Sequence, residues 1–308
     1  MRSLTLVIIA AAGLVLLHKA KISAEGLWAL TFLNSLHVFV FAVVVLLLFA
    51  ATRAIPGSST THRALIALLA AFVLGIASEA AQLSGPRDAS LEDLVSNWLG
   101  AAGALLIGVA MISKASVNTR SRIPLLLAGA TILVFALFPL LRVSAAYAER
   151  NIQKPVLVSF DSFFTKTFVR PQHSTLTLVK STSGDEVIGH VTLEGGAWPG
   201  LIIHDIWPDW SSYSELVIDL FLETEKPLQI HFRVHDQQHQ VGEQPYSDRF
   251  NMTRELRSGR HTLRIPLETI KNAPADRQTD LSNIAGIVIF CSRKEVGREF
   301  ELISIKLQ

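Results

Sequence analysis

The distribution of apolar residues divides the chain into two halves. Up to about Tyr147, apolar residues form long runs, whereas from Glu149 onward short alternating runs are separated by charged and turn residues. A helix that crosses a bilayer needs roughly 20 apolar residues, and alternation with a period of two indicates half-buried strands. The pattern therefore predicts an α-helical membrane domain over residues 1–148 and an all-β domain over residues 149–308.

Five apolar segments in the first half are predicted to span a membrane: Leu4–Leu17, Leu27–Ala51, Ala64–Leu83, Leu94–Ile112 and Ile123–Leu141. The first is short and follows a basic residue, so a cleaved signal peptide is the alternative. It is followed by His-Lys-Ala-Lys, a poor cleavage site, which favours a retained helix.

The short loops predict the orientation of these segments, because basic residues concentrate on the cytoplasmic side. One side has Arg2, Arg53, Arg63, Lys114, Arg120 and Arg122, and the other has Lys19, Lys21 and Arg87. This asymmetry predicts a cytoplasmic N-terminus. With five spans, the β domain lies outside the cytoplasm.

Polar residues interrupt the third and fourth segments, within SEAAQLSGPRDASLEDLVSNWLGAAG. They are Glu79, Gln82, Arg87, Asp93 and Asn97, and His37 enters the second segment from the same side. Ionisable groups at such depth are costly unless they pair or face a cavity. Residues three or four apart share a helix face. We therefore expect Arg87 between Glu79 and Asp93, with the other three side chains around it.

The spacing Glu-x-x-Gln, then Arg, then Asp-x-x-x-Asn-x-x-Gly resembles the core motif of the VanZ-like family of bacterial membrane proteins, named after a teicoplanin-resistance determinant. The resemblance covers about residues 27–112. It implies a multi-pass protein of the bacterial inner membrane and suggests a link to antibiotic resistance. Our first hypothesis is that the polar cluster binds an anionic cell-wall or lipid-linked ligand at the outer leaflet. Family members commonly have Asp-Lys before the histidine, whereas this chain has Asn34 and Ser35 before His37.

Two interpretations of this polar cluster stay open. As a clamp, it would only join helices; Ser90-x-x-Asp93 is a capping box, and the spacing of Gly100, Ala104 and Gly108 indicates close helix packing. As a site, its arginine would bind phosphate or carboxylate, and Glu79 beside His37 could exchange a proton. No helix has histidine and carboxylates at metal-ligand spacing, so the sequence predicts neither a metal nor a cofactor.

The second half has nine predicted strands: Val156–Phe160, Thr175–Lys180, Val187–Leu193, Gly200–His204, Glu215–Glu223, Leu228–Asp236, Arg260–Pro266, Ile284–Cys291 and Glu299–Leu307. Short strands separated by turns are typical of a β-sandwich or jelly roll. The order WSSYSELVIDLFL, LQIHFRVHD, GRHTLRIPLETI, IAGIVIF and FELISIKL resembles the galactose-binding-like jelly rolls. That superfold includes carbohydrate-binding modules, so the resemblance implies a domain that binds glycan or protein.

Five aromatic residues are candidates for stacking on a sugar: Trp198, Trp207, Trp210, Tyr213 and Tyr246. Core packing is the alternative for each, above all for Trp210 and Tyr213, whereas Trp207 lies in a polar loop and is the best ligand candidate of the five. His231, Arg233 and His235 alternate on one face of a predicted strand, which indicates a groove or solvated face.

Composition narrows the function only slightly. The net charge of +2 and the absence of a basic patch with interleaved aromatics argue against nucleic acid, and the lone Cys291 is predicted to be a buried, inert thiol. Three hypotheses stay open. The chain is a membrane protein with a glycan- or protein-binding domain, or an envelope enzyme with Glu79 or His37 as the acid/base on a phosphate or glycosyl substrate, or a binding module on a purely structural anchor.

Overall fold

The computed structural model describes residues 26–82, 90–112, 119–162, 165–181, 186–223 and 226–308. They form two compact units, one ending at Val143 and the other comprising Ser144–Gln308. The predicted first span, Leu4–Leu17, and the loop that contains Arg87 lie outside the described residues.

Five helices follow one another up to the start of the sandwich: α1 (Leu27–Ala51), α2 (Thr60–Gln82), α3 (Leu91–Ile112), α4 (Thr119–Ala136) and α5 (Phe138–Ile152). Among the described residues, α1, α2 and α3 are each long and apolar enough to cross a membrane. The pair α4 and α5 would add a fourth span if the two helices cross together.

The single helix predicted over Ile123–Leu141 is wrong in one respect, because the chain bends by 59° between α4 and α5. Pro139 lies two residues after the break at Leu137. Proline has no N–H to donate, and its ring clashes with the carbonyl group four residues earlier. Proline also disfavours the helical conformation at the preceding residue. These effects explain why the helix breaks here.

Small residues bring the helices of the first unit into close contact. A Cβ atom on Gly100 would lie 2.4 Å from the carbonyl oxygen of Val38, and one on Gly108 would lie 2.7 Å from a methyl group of Leu46. The close packing predicted from the glycine spacing in α3 is therefore confirmed for its contact with α1. Outward-facing side chains such as Val43 and Leu69 are more than half exposed, as expected for helices that contact lipid.

The second unit has two antiparallel sheets. Its strands are β1 (Val156–Ser159), β2 (Val169–Gln172), β3 (Ser174–Lys180), β4 (Val187–Leu193), β5 (Gly200–His204), β6 (Glu215–Leu222), β7 (Leu228–Asp236), β8 (Phe250–Leu256), β9 (Gly259–Pro266), β10 (Ile284–Cys291) and β11 (Glu299–Leu307). One sheet has the order β3-β4-β11-β6-β9, with β1 also paired to β11. The other has the order β2-β5-β10-β7-β8. Helices α6 (Gln237–Val241) and α7 (Leu267–Lys271) are short, with five residues each.

All nine predicted strands are present, each within one residue of its predicted ends. The prediction missed β2 and β8, which are the two edges of the second sheet. Edge strands are less buried and tolerate proline. Pro171 lies in β2, and the middle of β8 is polar and exposed, so neither has a clear apolar alternation.

The inward-facing side chains of the two sheets form one continuous core. Trp210, Phe232 and Phe300 are among its largest fully buried members. Cys291 is a free, buried thiol, as predicted, and burial raises its pKa to about 12.

Candidate functional site

The outer face of the second sheet bears polar and aromatic side chains. Strand β7 alternates strictly, so that Leu228, Ile230, Phe232 and Val234 point into the core. His231 and Arg233 must then point outward, because successive strand residues face opposite sides. The predicted outward face therefore holds for His231 and Arg233, whereas His235 is buried and its Nε2 lies 2.8 Å from Gln240 Oε1.

The register of the five strands aligns two rows of outward-facing residues. The first row is Arg170, Ile202, Val288, Arg233 and Asn251. The second row is Gln172, Gly200, Phe290, His231 and Thr253. Polar or aromatic groups from both edge strands and from two of the three central strands, β7 and β10, therefore meet on one face.

A cavity of about 420 Å³ lies over these rows. It is lined by Gln172, Trp198, Ile202, His231, Phe232, Arg233, Tyr246, Arg249, Asn251, Met252, Thr253, Val288 and Phe290, and we call this set of residues the groove. A volume of this size is typical of small-molecule sites.

Aromatic rings form the apolar part of the groove. His231 stacks on Phe290 with ring centroids 5.1 Å apart. The Trp198 ring stands nearly perpendicular to both, with 52% of its surface exposed. Tyr246 is 71% exposed, and the Arg249 guanidinium group lies 5.2 Å from its ring centroid. The groove therefore offers two large aromatic side chains to a ligand.

The charged groups that line the groove are both basic. They are Arg233 and Arg249, and the lining contains no acidic residue within the described part of the chain. Burial, and then the like charge of Arg249, lower the pKa of Arg233 to about 10. The two arginines differ in the hydrogen bonding of their Nε atoms. Arg249 Nε donates to Asn251 Oδ1 over 3.0 Å. Arg233 Nε is buried and has no hydrogen-bond partner among the described residues. A basic site with an unused donor favours an anionic ligand.

A buried ion-pair network supports the loop that bears Tyr246 and Arg249. The guanidinium group of Arg277 donates two hydrogen bonds to Asp236, over 2.5 and 2.8 Å, and two more to the carboxylate of Asp248. Asp236 also accepts the backbone N–H of His239 at the start of α6. Burial alone would raise the pKa of Asp236, but the hydrogen bonds from Arg277 and two backbone N–H groups outweigh it and lower the pKa to about 2.

The five aromatic candidates occupy different environments. Trp198 and Tyr246 line the groove. Trp210 is fully buried in the core, where its indole N–H donates to the carbonyl oxygen of Trp207, so its ring is not available to a sugar. Trp207 and Tyr213 pack partly buried against the same core. The ammonium group of Lys154 lies 2.9 Å from the centroid of the Trp207 ring and covers it.

The helical unit brings four of the six predicted cluster residues together from three helices, and we call these four the buried cluster: His37, Glu79, Asp93 and Asn97. His37 Nδ1 lies 3.0 Å from Asn97 Oδ1, and Asn97 Nδ2 donates to Glu79 Oε1 over 3.4 Å. His37 Nε2 lies 3.8 Å from Asp93 Oδ2. All four side chains are buried, with His37 and Asn97 at 0% exposure.

The start of α3 explains why Asp93 faces the histidine. Ser90 Oγ accepts the backbone N–H of Asp93, as in the predicted capping box. The backbone N–H of Ser90, however, donates to Glu79 Oε2 over 3.1 Å. The carboxylate of Asp93 is therefore not used to complete the box.

The other two predicted cluster residues are placed differently. Gln82 is the last residue of α2 and is buried, but no described residue hydrogen-bonds its Oε1. Arg87, predicted to lie between the carboxylates, falls outside the described residues. Among the described residues, no lysine or arginine forms an ion pair with Glu79 or Asp93.

Comparisons with known proteins concern the β domain. No protein-family model and no curated protein matches the chain. The sandwich resembles a family 11 carbohydrate-binding module from Clostridium thermocellum, solved with a mixed-linked tetrasaccharide, at 15% identity and a TM-score of 0.40 over 50% of this chain and 94% of that one. It also resembles part of an exo-β-agarase, at 16% identity and a TM-score of 0.41, over 50% of this chain and about a quarter of the agarase. A xylanase of Clostridium thermocellum with a family 22 module matches at 8% identity and a TM-score of 0.35, over 50% of this chain and 28% of that one. Similarity at this level concerns the fold of the sandwich alone.

Proposed function

We propose that the chain is a membrane-anchored carbohydrate-binding protein, and that the groove of its β domain binds an acidic polysaccharide. The observation that supports this most is the joint presence of exposed aromatic rings and two arginines on one sheet face. The rest of the chain supplies the anchor, because three of its helices are long and apolar enough to cross a membrane.

The aromatic residues support a sugar ligand. A sugar ring has an apolar face of C–H groups that can lie on an indole or phenol ring, and aromatic side chains contribute large contact areas. Trp198 and Tyr246 are exposed at the groove, and exposed apolar surface of this kind often marks a binding site. Asn251, Gln172 and Thr253 also line the groove, where their side chains can hydrogen-bond the hydroxyl groups around such a ring.

The arginines support an anionic sugar. Two guanidinium groups close enough to lower the pKa of Arg233 repel each other, and a carboxylate or sulfate group would relieve that repulsion. Burial lowers the pKa of His231, so this ring is neutral at pH 7 and donates or accepts a hydrogen bond without adding charge. Binding is therefore expected to weaken as the salt concentration rises.

The proposed location rests on the membrane anchor and the loop charges. We propose that the chain resides in a bacterial inner membrane, with several spans and with the β domain outside the cytoplasm, where cell-envelope polysaccharides lie. The five-span topology and the VanZ-like resemblance of residues 27–112 belong to this proposal, as does any link to antibiotic resistance.

The meeting of His37, Glu79, Asp93 and Asn97 supports a second role, in the membrane unit. We propose that the buried cluster forms part of a site for an anionic cell-wall or lipid-linked ligand rather than acting only as a clamp between helices, with Arg87 as the group expected to bind the anion, because two carboxylates alone would repel it. An acid/base role for Glu79 or His37 in an envelope enzyme is the alternative. Loss of function in Glu79→Gln with a normal membrane level would favour either role over a clamp, whereas normal function would favour the clamp.

Affinity electrophoresis tests the proposed glycan binding. Residues 144–308 would migrate through gels that contain polygalacturonate, an acidic polysaccharide, or a neutral mixed-linkage β-glucan. We expect polygalacturonate to retard the wild type more strongly than the neutral glucan. Trp198→Ala and Arg233→Gln should abolish most of that retardation. Trp207→Ala is the matched control, because Trp207 lies outside the groove, and it should behave like the wild type. Equal migration of all variants in both gels would contradict the proposal.

A further inference from the structure

The donor atoms of the buried cluster come from three helices, so their arrangement could not be predicted from residue spacing along any one helix. His37, Glu79 and Asp93 come from α1, α2 and α3, and each offers one nitrogen or oxygen atom within 4.8 Å of the other two. All three residues are buried, at 0%, 7% and 7% exposure. Each therefore faces the interior of the helix bundle rather than lipid or water.

The hydrogen bonds around His37 assign its tautomer. Asn97 Nδ2 donates to Glu79 Oε1, so the amide oxygen of Asn97 faces His37 Nδ1. An oxygen can only accept, so Nδ1 of His37 has the proton. In a neutral imidazole the other nitrogen then presents a lone pair. That nitrogen, Nε2, is fully buried and has no hydrogen-bond partner among the described residues.

With a neutral imidazole, two acceptors therefore face each other inside the bundle. His37 Nε2 lies 3.8 Å from Asp93 Oδ2, and a carboxylate oxygen of Glu79 lies within 4.8 Å of a ring nitrogen of His37 and of an oxygen of Asp93. Two carboxylates and a lone pair at such separations repel one another in a medium of low dielectric constant. A cation between them would remove that repulsion. Among the described residues, no lysine or arginine provides it.

We propose that His37, Glu79 and Asp93 bind a divalent transition-metal ion of the zinc type. One imidazole nitrogen and two carboxylate oxygens form a donor set that zinc accepts in proteins. Asn97 would hold the imidazole of His37 in its orientation, because a metal-binding histidine usually donates its second N–H to a fixed acceptor. The ligand atoms of tetrahedral zinc lie about 3.3 Å apart, so modest side-chain rotations would bring these atoms into place.

With three protein ligands, at least one coordination position of the ion stays open to water or substrate. Closed structural zinc sites usually have four protein ligands, whereas three ligands are typical of sites that hold a water molecule or a substrate. An ion here would attract an anionic group such as a phosphate. The metal proposal rests on the geometry of the buried cluster alone and does not depend on which ligand the groove binds.

Metal titration of the full chain tests the proposal. The protein would be purified in detergent, freed of metal with a chelator, and titrated with Zn²⁺ in competition with a chromophoric chelator. We expect one high-affinity ion per chain. His37→Gln, Glu79→Gln and Asp93→Asn should each weaken binding by at least about 100-fold. Asn97→Leu, which removes the hydrogen bonds to His37 and Glu79 but no proposed ligand, should weaken it by about 10- to 100-fold. His62→Gln is the matched control, because His62 is an exposed histidine of the same unit, and it should bind like the wild type.

A measurement on the wild type alone covers the case in which a variant fails to fold. X-ray absorption of the Zn²⁺-loaded full chain should show one imidazole ligand, with oxygen atoms in the remaining positions. Two or more imidazole ligands would place the ion elsewhere and overturn the proposal. Failure of the wild type to bind Zn²⁺ would overturn it as well, and would leave a proton or Arg87 to neutralise the carboxylates. Undiminished binding by all three ligand variants would also overturn it.

Discussion

Replacing Arg277 with methionine should destabilise the β domain by about 3–5 kcal/mol at pH 7. Methionine keeps much of the length of the side chain but strands the carboxylate of Asp236, which is only 1% exposed, without its cation. Breaking a buried ion pair by removing one partner typically costs this much. The second partner, Asp248, is 23% exposed and contributes less.

The effect should depend on pH in a defined direction. The pKa of Asp236 is about 2 in the folded state, against an ordinary value of 3.8. This difference corresponds to at most about 2.4 kcal/mol, and to about 1–2 kcal/mol after allowance for solvent screening. Because the folded-state pKa is the lower one, the contribution is present above pH 4 and is lost as the pH falls from about 4 to about 2. In Arg277→Met the carboxylate has lost its cation and can relieve its burial by binding a proton. The difference between variant and wild type should therefore shrink at low pH.

Urea unfolding of residues 144–308 measures this difference. Intrinsic tryptophan fluorescence follows the transition, with Trp210 buried in the core as the main reporter. Arg264→Met is the matched control, because Arg264 forms an ion pair with Glu215 while 55% exposed, and its loss should cost less than about 1 kcal/mol. A cost for Arg277→Met at pH 7 no larger than that of the control would refute the reasoning. A cost that stays constant from pH 7 to pH 3 would refute the assignment to Asp236.

Three other predictions concern the packing and the topology. Gly100→Ala should lower the melting temperature of the full chain in detergent, because the added Cβ would lie 2.4 Å from the Val38 carbonyl oxygen; an unchanged melting temperature would show that α1 and α3 are not in such close contact. A fragment that begins at residue 156 should be about 1–3 kcal/mol less stable to urea than one that begins at residue 144, because it lacks the hydrogen bonds that Tyr147 and Arg150 donate to Asp205. Equal stability would exclude a role for these hydrogen bonds. A reporter that is active only outside the cytoplasm should be active when fused after Gln308, and activity of a cytoplasm-only reporter there would reverse the proposed orientation.

The sequence was most informative where a repeated pattern extended over several residues. Alternation in β7 was enough to place His231 and Arg233 on an outer face, and the length of the apolar run was enough to place α1. The edge strand β8 was missed because three consecutive residues in its middle, Thr253, Arg254 and Glu255, are polar and exposed, so its apolar positions do not alternate clearly. Pro139 was visible in the sequence, but a hydropathy pattern does not register a missing N–H, and the bend was therefore missed.

Pairings between distant residues were much harder to predict. Arg277 meets Asp236 and Asp248 across 41 and 29 residues, and no local pattern links them. The buried cluster was partly predictable, because polar residues inside apolar segments must find one another. Spacing along single helices still argued against a metal site, since the three candidate ligands come from three different helices.

Nuclear magnetic resonance titration of residues 144–308 tests the central proposal most directly. An oligogalacturonate of defined length would be added to the labelled fragment, and the shifts of the backbone amides and of the tryptophan indole N–H groups would be followed. Binding in the groove predicts large shifts for the Trp198 indole and for the amides around Arg233 and Arg249, with little change at Trp207. Saturable shifts confined to the other sheet or to the surroundings of Trp207, or no shifts at millimolar oligosaccharide, would contradict the account.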